Sequence, residues 1–159
     1  MISETVPSGL KMNVEQDSSY KTGTIEYKTS HSKYLREELS KTLKPQFGVY
    51  TNKETGIDAN LNGRSLKKLA SDKAINKSKE NGFTITEHFE GASKITELYQ
   101  KAKLIESAQD KKGSNNIISI KRFIAPFKTS MGKNAKAYIT VKESKQNGHT
   151  IYSVELILK

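Results

Sequence analysis

The sequence predicts an α+β domain in which N-terminal helices pack on a C-terminal antiparallel β-meander. Two patterns carry this expectation. Between positions 65 and 105 apolar residues recur at helical spacing, and from Ile117 onward three segments alternate as strands do. The length of 159 residues bounds the rest: it suits one domain with a real core and is too short for two comfortable ones. We expect a disordered or extended lead over residues 1–30 and a single domain over 31–159.

The lead is polar, poor in aliphatics and rich in Ser, Thr and Gly. Ser32 can cap a helix running through Tyr34, Leu35, Leu39 and Leu43, and Pro45 stops it. Residues 46–62 alternate as two short strands around a turn at Asn52–Gly56, with Phe47, Val49, Ile57, Ala59 and Leu61 as the inward face. From Ser65 a single helical segment follows, carrying Leu66, Leu69, Ala70, Ala74 and Ile75 on one side and Arg64, Lys67, Lys68, Lys73 and Lys77 on the other. Asn81-Gly82 breaks it.

Thr84 with Glu87 spells a capping box, with Phe83 placed as a hydrophobic anchor. The stripe that follows reads Ile85, His88, Phe89, Ala92, Ile95, Tyr99, Ala102 and Ile105, so His88 takes a position otherwise given to apolar residues. Residues 110–116 form a loop. The strands are expected at Ile117–Phe127, Ala135–Glu143 and Thr150–Leu158, with turns around Ser130–Asn134 and Gln146–Gly148, where Asn147-Gly148 is a hairpin signal. In the first of them Ile118, Ile120, Arg122 and Ile124 share one face, so Arg122 interrupts an apolar row as His88 does.

The net charge is +10, and it is unevenly spread: residues 63–80 hold six basic residues against two acidic, and residues 111–159 hold ten against two. Such a field suits a polyanion, although lysine also serves as a generic solubiliser. There is no cysteine, which removes disulfides and thiolate zinc sites and fits a cytoplasmic protein, or one delivered into a target cell. The first residues, MISETVPSGL, lack the basic and apolar regions of a secretory signal, and no apolar run is long enough to span a membrane. A membrane is therefore not expected as a partner.

The three histidines are far apart in sequence and lack the spacing of a zinc hydrolase, so no metal site is expected. No Walker loop, dinucleotide glycine fingerprint or serine nucleophile elbow is present, and no cofactor is expected. Metal-free RNA cleavage needs a base for the ribose 2′-OH, an acid for the leaving 5′-oxygen, and cations for the phosphorane charge. His88 suits either proton role. Arg122 and Lys77 could hold the scissile phosphate, Lys73 and Tyr152 could orient the substrate, and Thr140 and Lys142 could add donors from the sheet. Each has a structural reading too: His88 as a buried hydrogen-bonded residue, Arg122 as a sheet-margin residue with its head in water, and Lys73 and Lys77 as a solvated helix face. His149 reads as exposed and His31 as part of the lead.

Several strings, in order, resemble the third type of large polyvalent protein-associated domain of phages and mobile elements. They are Thr55-Gly56-Ile57, the helix from Lys73 to Ser78, Asn81-Gly82-Phe83, Glu87-His88 opening a helix with Ala92, Ile95 and Leu98, Lys121-Arg122-Phe123 with Pro126, residues 139–143, and residues 151–156. The likeness covers roughly residues 46–159. Relatives often carry a His where this chain has Lys121, which we place among the substrate contacts. That group is assigned to the barnase–EndoU–colicin–RelE-like nuclease superfamily. The resemblance implies helices packed on an antiparallel sheet, metal-independent RNA cleavage, and frequent use as a toxin with a protein antidote. The leading expectation is therefore a ribonuclease with RNA and an antitoxin or immunity protein as partners. Its rivals are a non-catalytic nucleic-acid-binding or protein-interaction module on the same fold, and an enzyme acting on another phosphate-bearing substrate.

Overall fold

A computed structural model describes residues 25–109, 117–146 and 149–159, with the side chains of 31–109, 119–143 and 154–159. The expected lead lies largely outside the described residues, as do the loop at 110–116 and the Asn147-Gly148 turn. Helix α1 spans Ile25–Leu43, starting well before Ser32, and the chain divides into two units within it, residues 1–35 and 36–159. Of the first unit, the described part is the opening of α1.

In the second unit α1 brings Leu39 and Leu43 into the core, and Pro45 sits in a one-turn 3-10 segment, Lys44–Gln46, that ends the helix. Strands β1 (Gly48–Thr51) and β2 (Asp58–Leu61) form the expected hairpin. Its buried face differs from the sequence reading. Tyr50 lies opposite Ala59, and directly opposed residues share a face, so Tyr50 turns inward with Ala59 and Leu61 while Val49 is 62% exposed and Phe47 40% exposed.

Asn52 closes this hairpin and anchors it. Its Oδ1 accepts from the Thr55 backbone N–H at 3.0 Å and the Thr55 hydroxyl at 2.9 Å, and its Nδ2 donates to the carbonyls of Tyr99 at 2.7 Å and Ala102 at 2.8 Å. Gly56, at φ +75°, makes the turn that the Thr-Gly-Ile string encodes.

The single helical segment expected from Ser65 is two helices, α2 (Gly63–Leu69) and α3 (Asp72–Glu80). Ser71 splits them: it takes extended backbone angles, and its hydroxyl accepts from Ala74 N–H, starting a fresh helix. Arg36 bridges the break, donating through Nε to the Ala70 carbonyl at 3.0 Å and pairing through Nη2 with Asp72 at 2.7 Å. Helix α4 (Ile85–Ser93) begins with the Thr84–Glu87 capping box, and Phe83 is buried beside it. The stripe then breaks at Lys94 into α5 (Ile95–Lys101). Past Ala102 it is no longer helical: Lys103–Ala108 forms strand β3, with Ile105 51% exposed, because this segment pairs with the next strand instead.

Strands β3, β4 (Ile117–Lys128), β5 (Asn134–Gln146) and β6 (His149–Leu158) make an antiparallel sheet in sequence order, so the fold is α+β with the expected meander. Phe123, Ala125 and Phe127 of β4, Ala137, Ile139 and Val141 of β5, and Val154, Leu156 and Leu158 of β6 form its buried face. Tyr99 of α5 meets Phe123 edge to face at 5.0 Å, and Gly91 of α4 lies so near the sheet that an added Cβ would stand 3.0 Å from a Leu158 methyl. Arg122 therefore interrupts no core row. It shares a face with Ile120 and Ile124, but that is the open face, since β4 alternates and the helices cover the phenylalanine side.

Replacing Asn52 by Ala removes its bonds to the Tyr99 and Ala102 carbonyls, the first of which keeps the Ala102 N–H, and opens the turn. Urea unfolding should show a loss of about 2–4 kcal/mol with an unchanged m-value.

Candidate functional site

The open sheet face and helix α3 together make a cleft of about 370 Å³. Its floor is set by register. Arg122 of β4 lies opposite Thr140 of β5, which lies opposite Glu155 of β6, and Glu106 of β3 extends the row at the sheet edge. Directly opposed residues point the same way, so these four side chains stand in line across all four strands. Lys142 and Tyr138 flank Thr140 on the same face, one pleat to either side. One wall comes from Lys68 at the end of α2, Ser71, and Lys73, Ala74 and Lys77 of α3.

The lining holds five cations, Lys68, Lys73, Lys77, Arg122 and Lys142, and one carboxylate among the described residues, Glu155. Lys142 pairs with Glu155 at 3.0 Å, and Arg122 pairs with Glu106 at 3.1 Å. Among the described residues Lys68, Lys73 and Lys77 are in no ion pair, so their charge is free to act on an incoming anion. The Lys159 ammonium lies 4.5 Å from the centre of the Tyr138 ring.

Of the residues expected from sequence, the fold brings Lys73, Lys77, Arg122, Thr140 and Lys142 into this one cleft. Lys121 lies on the other face of the sheet, one residue out of phase with Arg122, where its Nζ donates to Ser119 Oγ at 3.2 Å. The backbone of Tyr152 pairs with Glu143, while its side chain, like that of His149, lies outside the described residues. Glu155, Tyr138 and Lys68 were missed. A usable signal existed: counting back from the Asn147-Gly148 hairpin, with Gln146 opposite His149, puts Thr140 opposite Glu155.

His88 is not in the cleft. It is wholly buried, with Nε2 2.8 Å from the Leu69 carbonyl and Nδ1 2.8 Å from Ser78 Oγ. A carbonyl only accepts, so Nε2 carries the proton and Nδ1 accepts the Ser78 hydroxyl. The Ser78 oxygen in turn accepts the Leu158 N–H at 2.9 Å. The neutral ring thus completes a chain from β6 through α3 and α4 to the end of α2. Burial pushes its pKa below the usual histidine value of 6.5, outweighing the Leu69 hydrogen bond, which acts the other way. With no exposed surface and both nitrogens engaged, His88 is a positioning residue: it holds α3, and with it Lys73 and Lys77, against β6.

Asn81-Gly82-Phe83 serves the same junction. Asn81 Nδ2 donates to the Leu158 carbonyl at 2.9 Å, and Gly82 takes φ +95° as the chain turns into α4. The Lys133 ammonium donates to the Gly82 carbonyl and lies 4.4 Å from the Phe83 ring centre. Glu87 receives the Thr84 N–H, which is the main reason its carboxyl is held below the ordinary range.

Fold and site define a class: an α+β domain with a cation-lined cleft on the open face of its sheet. A family model matches residues 26–152, and the chain belongs to that family, large polyvalent protein-associated domain 3. No curated protein and no solved structure matches it. Among the described residues no helix is long and apolar enough to cross a membrane, and no three potential metal-ligating side chains gather at one point.

A histidine neutral in the fold and chargeable in the unfolded chain makes stability fall with acid. The unfolded state binds the extra proton below about pH 6.5, the ordinary histidine value, so stability is full above that pH and declines beneath it toward the lowered folded pKa. Thermal melts from pH 8 to 5 should show this decline in the wild type. His88→Gln should melt lower at pH 8 and lack that part of the pH dependence.

Proposed function

We propose that the cleft binds the phosphodiester backbone of RNA and that the chain cleaves RNA by 2′-OH attack, using side chains alone. The observation that supports the reading most is the convergence of three lysines from α2 and α3, in no ion pair among the described residues, with Arg122 and Lys142 from the sheet. Such a surface binds successive phosphates by point charge and, through Arg122, by a fork of N–H donors. Tyr138 on the same floor supplies an aromatic surface for a base. The ribonuclease part of the reading draws on the resemblance to the barnase–EndoU–colicin–RelE-like superfamily. With it come a toxin or mobile-element role, a cytoplasmic site of action and a protein antidote as second partner.

A specific observation favours a second reading. Burial of His88 removes the side chain that looked best suited to proton transfer from sequence, leaving a binding module if nothing in the cleft replaces it. Binding without turnover is the outcome that would select it.

Single-stranded RNA should bind with strong salt dependence. In Lys73→Ala/Lys77→Ala the slope of log affinity against log salt should be shallower by about 1.4, roughly 0.7 for each lost phosphate contact, with an unchanged melting temperature. Incubated with chelator, wild type should yield ends bearing a 2′,3′-cyclic phosphate. Binding that ignores both lysines would move the site elsewhere.

A further inference from the structure

The cleft holds one carboxylate among its described residues, and that carboxylate opposes the evident purpose of the surface. Glu155 is only 27% exposed, and it projects from the middle of β6 into a site lined by five cations. For anion binding alone a negative charge there is a liability. Ion pairing with Lys142 does not explain it, since a lysine without the carboxylate would bind phosphate better. Its place in the row is informative. Glu155 and Arg122 stand on either side of Thr140, two strand spacings or roughly 10 Å apart at the backbone. A phosphate held by Arg122 over Thr140 would have Glu155 on its far side, next to where an adjoining ribose would lie. Glu106 has no such position: it sits on the edge strand, 52% exposed, and pairs with Arg122.

We propose that Glu155 is the group that takes the ribose 2′-OH proton, an assignment that rests on the ribonuclease reading above. Glu155 removes the proton as the 2′-oxygen bonds to phosphorus, and the bond from phosphorus to the 5′-oxygen breaks. The departing 5′-oxygen takes a proton from water, and Glu155 returns its own to solvent. The products are a 2′,3′-cyclic phosphate and a 5′-hydroxyl, with no oxidation or reduction. Lys142 is placed to shift from Glu155 to the phosphate when RNA enters, releasing the carboxylate at the moment it is needed. Arg122 holds the non-bridging oxygens as charge grows on them.

The test separates binding from rate. Glu155→Gln keeps the shape and removes the base, so single-turnover cleavage of RNA in chelator should fall about a hundredfold or more, while RNA binds as tightly as to wild type or more tightly. A role confined to structure or charge would move binding and rate together. Glu155→Asp keeps the charge beside Lys142 and sets the base back by one methylene. It should bind normally and cut about a hundredfold more slowly, which also decides the matter if Glu155→Gln binds no RNA. An undiminished rate in either variant overturns the assignment and leaves the ribonuclease reading intact. Wild type that binds RNA and does not cut it overturns both, leaving the binding module.

Discussion

The relay from Leu158 through Ser78 and His88 to Leu69 is the constraint on which the site depends. It joins residues 80, 10 and 19 positions apart in sequence and uses every donor along it. An unmade hydrogen bond in a buried position costs more than a made one contributes, so the relay acts as a specification of geometry more than as a source of stability. Helix α3 can sit in one place against β6 and satisfy it. Lys73 and Lys77 of α3 are thereby held in the wall of the cleft that Arg122 and Lys142 line.

This arrangement divides the sheet into two jobs. The side bearing Phe123, Ile139 and Leu156 is packed by helices and carries the fold, while the other is left open and holds the charged row. Opposed residues in an antiparallel ladder share a face whatever their chemistry, so the line from Glu106 to Glu155 follows from register and not from mutual attraction. The ion pairs within it are partly solvated and contribute little to stability. They hold Arg122 and Lys142, both in the lining of the cleft, beside the two glutamates of the row.

Several motifs have structural roles that their spelling does not disclose. Thr55-Gly56-Ile57 is the turn wrapped around Asn52, which ties the small hairpin to the end of α5. Asn81-Gly82-Phe83 joins α3, α4 and the end of β6. Glu87-His88 is a cap followed by the ring of the relay. At these points the strings that resemble large polyvalent protein-associated domain 3 build the frame of the fold.

Much of the fold was legible because it is encoded locally. The capping box at Thr84, the hairpin around residues 52–56 and the period-two strands after Ile117 depend on neighbours within a few positions, so spacing alone reveals them. The break at Ser71 was hidden because an apolar stripe runs across it, and β3 was hidden because Ile105 continues the helical count by chance. The sequence by itself determined which residues travel together: Arg122 with Ile120 and Ile124, Lys73 with Lys77, Glu155 opposite the aliphatic row of β6. Which of two faces is buried, and which helix lies over the other, only the tertiary structure decided. Alternation defines a pair of faces without ranking them, and His88 became a buried relay instead of an acid or base because its partners come from α2 and α3, beyond the reach of any local pattern.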